Sequence, residues 1–297
     1  MSSLSFSKSD KAFHLFLGLS CIFMVLPSLL FFPLFKIYVN WGSFLPLLLV
    51  LLFLGGGAWV YHSLRLRENL RNLFLSAFWA VALSNSYFFP MYLLHRIPVP
   101  MVDEYVMLPD IWLGLYPPRL FSFLEAHPWI SLFSDLIYYL LLPLIILAVL
   151  IPPLRKEWRL AQEYHLSMAF SALLSLPMIA LIHFQTPWAY FGYPPKAIFE
   201  IQGKVFLELQ SQAPFLFSLD QVQGMVQCPS FHTILAIQCY LSLKNTPYLS
   251  KPALALALLI PISALPSGGH YLIDIVAGVV LAFLTRKMAQ KFLDHLN

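Results

Sequence analysis

Two histidines stand at the heads of apolar segments in the last third of the chain. His232 lies in Cys228-Pro229-Ser230-Phe231-His232-Thr233, and His270 in Ser267-Gly268-Gly269-His270-Tyr271-Leu272-Ile273-Asp274. One complete apolar run, about 252–265, separates the two segments. Imidazoles and a carboxylate are costly to keep at a membrane boundary, so their presence there points to chemistry. His270 and Asp274 are spaced i, i+4, which on a helix puts them on one face, about 6 Å apart along the axis. An aspartate so placed accepts the Nδ1 proton of the imidazole, fixes its tautomer and leaves Nε2 as nucleophile or base. His232, from another helix, supplies a second proton-transfer group. Nucleophile, orienting acid and acid/base together suit phosphoryl transfer. In that chemistry His270 attacks phosphorus, His232 protonates the leaving oxygen, and a second acceptor discharges the phosphohistidine.

A phosphoryl group needs donors for its oxygens. Ser230 and the Ser267-Gly268-Gly269 turn are the candidates, because glycines let backbone amides approach an anion and the following helix N-terminus adds a favourable dipole. Lys196, Lys204, Arg96 and Arg119 are basic residues expected on the same face, and the sequence leaves open which of them meets a phosphate. His183, just before Gln185-Thr186-Pro187-Trp188, stands between a site role and an interfacial one. His14, His62, His95, His127, His165 and His295 read as interfacial polar residues. Two histidines and one aspartate find no third His or Cys at ligand spacing, so no metal is expected, nor any other cofactor. Cys21, Cys228 and Cys239 form neither a disulfide framework nor a redox pair.

The elements that position these residues must cross a membrane. Of 297 residues, 59% are hydrophobic and 11% charged, against roughly 25% charged in a soluble domain. A net charge of +4 is too small to imply a nucleic-acid partner. Hydropathy predicts an all-α polytopic bundle with eight spans, at about 13–35, 43–61, 73–94, 129–151, 166–184, 231–245, 252–266 and 270–290. The sixth and seventh are short. The first is too long for a signal peptide and lacks a cleavage site, so it reads as a retained span.

With eight spans both termini share a side, and 13 of the 18 Lys and Arg fall on it. The other five are Lys36, Arg96, Arg119, Lys196 and Lys204. The excess predicts cytosolic termini and puts both histidines on the periplasmic or lumenal face. Two segments there read as interfacial: 110–129, with Trp112, Tyr116, Phe121, Phe123 and Trp129, and 197–209, with the pattern of an amphipathic helix in the headgroup layer.

The segments 228–233 and 267–274 resemble the type 2 phosphatidic acid phosphatase superfamily. Its second motif has a Pro-Ser-x-His core, matched by Pro229, Ser230 and His232. Its third ends His-x-x-x-Asp, matched by His270 and Asp274. The resemblance implies that His270 is the nucleophile, Asp274 its orienting acid and His232 the acid/base. It also implies a six-helix catalytic core at 73–297, preceded by a two-span extension at 1–72. The chain departs from the phosphatases of that superfamily in two places. Arg96-Ile97-Pro98 is a poor copy of their first motif, and Ala264 stands where their third motif carries an arginine. A missing guanidinium removes a bidentate phosphate clamp. Together with His270-Tyr271 and the segment Pro109-Asp110-Ile111-Trp112-Leu113-Gly114, this places the resemblance closest to the inositol phosphorylceramide synthase-like branch.

The expectation is a membrane enzyme that moves a phosphate or phospho-headgroup from a phospholipid to a lipid alcohol such as ceramide or diacylglycerol. One alternative is a phosphatase hydrolysing a lipid phosphomonoester. The other is a non-enzymatic lipid-binding or transport protein. The expected partners are membrane lipids and the bilayer; a partner subunit is left open.

Overall fold

The apolar runs fold as helix because backbone polar groups out of reach of water must be satisfied within the chain, and a helix does so locally. The computed structural model describes residues 5–193, 197–222, 224–225, 228–266 and 268–296, and of residues 197–201 the backbone alone. Helix α1 (Lys8–Phe31), capped by a Ser7/Asp10 box, is followed by strand β1 (Ile37–Val39), α2 (Leu45–Ser63) and α3 (Glu68–Leu94). Three short helices, α4 (Asp103–Val106), α5 (Leu108–Trp112) and α6 (Pro117–Ala126), occupy the expected interfacial stretch. Next come α7 (Pro128–Tyr139), α8 (Leu141–Leu154) and α9 (Trp158–Leu181). Then follow α10 (Pro187–Tyr190), α11 (Ala197–Gln210), β2 (Phe215–Phe217), α12 (Phe231–Leu243), α13 (Ser250–Ala264) and α14 (Leu272–Asp294).

The protein is an all-α membrane bundle. Among the described residues five segments are long and apolar enough to cross a membrane: 8–35, 41–63, 68–94, 128–154 and 158–181. Helices α12 and α13, of 13 and 15 residues, are shorter, spanning about 20 Å and 22 Å at 1.5 Å per residue. Apart from Ala58, no residue of α2 is fully buried, as expected of a helix turned toward lipid.

The structure departs from the hydropathy reading at several points. The fourth span breaks at Leu140 into α7 and α8, because the ring of Pro143 clashes with the carbonyl of residue 139 and offers it no N–H. Helix α9 begins at Trp158 rather than near residue 166. Its polar first turns are satisfied from afar: Trp158 Nε1 and Gln162 Nε2 donate to Asp10 Oδ1 at 2.9 and 3.0 Å, Arg159 pairs with Asp294, and Glu163 with Arg286. The starts of α1 and α9 and the end of α14 therefore meet at one end of the bundle. Finally, β1 and β2 pair in parallel, Ile37 opposite Phe215 and Val39 opposite Phe217, an element the apolar pattern did not reveal.

The buried apolar side chains form several clusters. Phe13, Leu17, Met24, Phe32 and Ile37 from the first segment are buried with Tyr87, Phe89 and Tyr92 of α3, Leu166 of α9 and Phe217 of β2. A second cluster joins α7 and α8 to α12 and α13 through Ile137, Leu141, Leu144, Ala236, Cys239 and Ile260. Helix α11 is amphipathic as expected, with Val205, Phe206 and Leu209 buried and Lys204, Leu207 and Glu208 exposed.

Candidate active site

Helices α12 and α14 meet at their N-terminal ends, and two local features lock that meeting. Ser230 is the N-cap of α12; its hydroxyl oxygen accepts from the Thr233 amide at 3.3 Å and the Thr233 hydroxyl at 3.1 Å. The amide of Ser230 donates to the carbonyl of Asp274 at 2.9 Å, tying the cap of α12 to the first turn of α14. One turn further along α14, Gly278 lets the helices touch. A Cβ there would sit 2.7 Å from the Ser230 carbonyl oxygen and 2.9 Å from Thr233 Cβ.

This contact brings His232 and His270 together, with ring centroids 5.8 Å apart in an edge-to-face arrangement. His270 Nδ1 lies 3.3 Å from Asp274 Oδ2, and both side chains are buried. The pairing does not arise from a shared helix face. His270 precedes the helix and Tyr271 is its N-cap. Asp274 reaches back from the first turn, and the same Oδ2 accepts the Tyr271 amide at 2.9 Å. The aspartate thus caps the helix and holds the imidazole at once.

Sequence reasoning missed two neighbours. The Tyr138 hydroxyl, from the last turn of α7, lies 3.2 Å from His232 Nδ1, with the rings 4.5 Å apart. Nothing in an apolar span marked it. Asp110, on α5, is buried and accepts the Leu272 amide on both carboxylate oxygens, at 3.2 and 3.1 Å. Its segment was singled out in the sequence, but without a role.

Two expected phosphate holders are otherwise engaged. The amides of Gly268 and Gly269 donate to the carbonyls of Leu265 and Ala264, closing the end of α13. Gly268 adopts φ +76 for this turn, with Phe121 and Trp188 packed where a Cβ would project. The first amides of α14 go to Asp274 and Asp110, so the positive end of that helix is already compensated by carboxylates. Ser267 and Lys196 lie outside the described residues.

Arg96 is a clear correction. Its buried guanidinium donates to the carbonyls of Leu209, at 2.8 Å, and Ala213, closing the end of α11 rather than facing a substrate. Arg96→Ala is expected to cost about 2–4 kcal/mol by leaving those carbonyls buried and unpaired, read as a lower melting temperature with the turnover of folded protein unchanged. A raised KM without a stability loss would contradict this placement. His183 makes its described contacts with other groups. Its backbone bridges Met101 and its ring stacks on His95 at 5.7 Å. Arg119 and Lys204 are exposed.

Burial, reinforced by the charge of Asp274, lifts the Asp110 carboxyl from 3.8 to about 6 despite the opposing Leu272 amide. The folded protein therefore holds a proton that the unfolded chain gives up between about pH 4 and 6. Stability contributed by this group is complete below that window and falls as pH rises through it. Asp110→Asn is expected to flatten the dependence in melting curves across pH 4–6; an unchanged slope would assign it to other groups. Burial also pushes the Cys228 thiol up to about 12, so it stays protonated beside the site.

No curated protein and no solved structure matches the chain. A family profile described as the PAP2 superfamily matches residues 104–287, a stretch that runs from α4 into α14 and contains both histidines and the aspartate. With more than half of its length inside that profile, the chain belongs to the PAP2 superfamily, a membrane enzyme of the lipid phosphatase/phosphotransferase type.

Proposed function

We propose that the protein transfers a phospho-headgroup from a phospholipid to a lipid alcohol through a phosphohistidine. The observation that carries this reading is the approach of two imidazoles within 5.8 Å, one of them backed by a buried carboxylate. Nε2 of His270, its Nδ1 proton held by Asp274, attacks phosphorus. The bond from phosphorus to the diacylglycerol oxygen breaks, and His232 gives that oxygen a proton. The acceptor hydroxyl then attacks the phosphohistidine, returning its proton to His232 and freeing Nε2 of His270. Ser230, whose oxygen accepts from Thr233, keeps its own hydroxyl proton to donate to a phosphoryl oxygen.

The missing clamp favours a diester donor. Ala264 replaces an arginine, and Arg96 closes α11. A phosphodiester carries less charge than a monoester and needs a guanidinium less. In this reading 73–297 is the catalytic core and 1–72 an extension packed on α3 and α9. The basic-residue excess supports cytosolic termini and a site opening to the periplasm or lumen. The meeting of Asp10 with α9, and of α9 with Asp294, at the bundle end away from the histidines supports the same arrangement.

The test is turnover by purified protein in mixed micelles, offered phosphatidic acid, or phosphatidylinositol with ceramide, with products read by mass spectrometry. A new phosphorylated lipid with diacylglycerol released is the expected result. Free phosphate from phosphatidic acid, with no transfer product, would replace transfer by hydrolysis.

A further inference from the structure

We infer that Tyr138 is the positioning residue that makes Nε2 of His232 the nitrogen that exchanges the proton. The inference rests on the phosphohistidine reading above and adds a residue to it. Tyr138 is buried in the last turn of α7, where Pro143 ends the helix. Its hydroxyl lies 3.2 Å from His232 Nδ1, and its ring tilts 31° against the imidazole at 4.5 Å. On its other side it packs with Ala264 at the end of α13 and with Trp188, which lies against the Gly268 turn just ahead of His270. Tyr138 is thus wedged between the acid/base and the loop that carries the nucleophile.

The proton count fixes which way the hydrogen bond runs. A histidine that gives a proton to an alkoxide starts as imidazolium, and one that then takes a proton from the acceptor hydroxyl starts neutral with Nε2 free. In both states Nδ1 carries hydrogen, so Tyr138 Oη accepts from Nδ1–H throughout the cycle. Were the phenol to donate to Nδ1 instead, the neutral ring would carry its proton on Nε2 and fail as a base in the second step.

The two imidazoles are therefore held alike, each by Nδ1, but by groups of different charge. Asp274 is an acid whose anion favours positive charge on His270 as the nitrogen–phosphorus bond forms. Tyr138 is a neutral phenol that orients His232 without holding its proton. Exchanging a phenol for a carboxylate is the structural difference that divides the roles of acid/base and nucleophile between two histidines lying side by side.

Tyr138→Phe keeps the ring packing and removes the hydroxyl that faces His232 Nδ1. The experiment compares wild type, Tyr138→Phe, His232→Ala and the double variant on two donors, short-chain phosphatidylinositol and octyl nitrophenyl phosphate, through kcat/KM. The alkoxide of the first must be protonated as it leaves; nitrophenolate leaves unaided. Tyr138→Phe is expected to lower kcat/KM for phosphatidylinositol about tenfold, a part of what general acid catalysis contributes. The nitrophenyl ester should lose less than about threefold, and adding Tyr138→Phe to His232→Ala should cost nothing further. Spectra of isotope-labelled histidine should report the Nδ1–H tautomer of His232 in wild type and a mixture in Tyr138→Phe, independent of activity. Equal losses on both donors, no loss on either, an additive double variant, or an unchanged tautomer would each overturn the assignment. Wild-type turnover that survives His270→Ala would instead remove the parent reading, and the role of Tyr138 with it.

Discussion

His270→Ala abolishes turnover, with a loss of about 10⁴-fold or more expected when the only nucleophile of a covalent mechanism is removed, while the protein still folds. The imidazole has no substitute at its position. His232 has its ring beside Tyr138, and among the described residues no carboxylate is paired with it. The fold survives because Asp274 keeps its contact with the Tyr271 amide, so the cap of α14 remains and the carboxylate is not left without a donor. Loss of one hydrogen bond to a charged group costs about 1.5–3 kcal/mol. The measurement pairs lipid turnover with a melting curve of the same preparation. Residual turnover above a few per cent, with folding intact, would place the nucleophile elsewhere.

Gly278→Ala is the second large effect, and it acts without touching substrate. The new methyl meets the Ser230 carbonyl oxygen at 2.7 Å and Thr233 Cβ at 2.9 Å, and neither is the end of a flexible side chain. Helix α14 must therefore move away from α12. That move strains the Ser230 amide bond to the Asp274 carbonyl and widens the 5.8 Å spacing of the two imidazoles. Misplacement of reacting groups by about 1 Å costs roughly 10²-fold in rate, and overpacking of this kind about 1–3 kcal/mol in stability. Gly56→Ala is the control: it lies on α2 with nothing within 4 Å, and neither rate nor melting temperature should fall. If Gly278→Ala left kcat unchanged, the touching of α12 and α14 would not be what sets the site.

The meeting of His232, His270 and Asp274 was legible because such residues are rare in their surroundings. A histidine at the head of an apolar run stands out, as His232 and His270 did, and Asp274 follows at a spacing that suits pairing. The spacing was right, and the helical reason for it was not, since the aspartate works by capping from the first turn. What stayed hidden shares one cause. Partners lay far away in sequence, or were backbone groups with no letter of their own. The charge of Arg96 was visible, but not that the carbonyls of Leu209 and Ala213 would claim it. The polar start of α9 read as a loop because Asp10, Arg286 and Asp294, which satisfy it, come from both ends of the chain. Gly268 and Gly269 looked like an anion cradle, and their amides finish α13 instead. Gly278 was within reach of sequence reasoning, since it sits i+4 from Asp274 on the face that must meet α12.

With the amides of Gly268 and Gly269 and the first amides of α14 engaged elsewhere, the proposed mechanism assigns the phosphoryl oxygens to the Ser230 hydroxyl. In that mechanism a site short of cationic donors suits a singly charged diester better than a doubly charged monoester.

The most direct test of the central claim is to trap the covalent intermediate. Protein mixed with donor phospholipid labelled in its phosphate, without acceptor, is quenched in alkali, digested and mapped by mass spectrometry. The account predicts an alkali-stable, acid-labile phosphoryl group on the peptide that carries His270, absent in His270→Ala and accumulating in His232→Ala when a nitrophenyl donor is used. Turnover with no labelled peptide at any time, or a label that persists in His270→Ala, would contradict it.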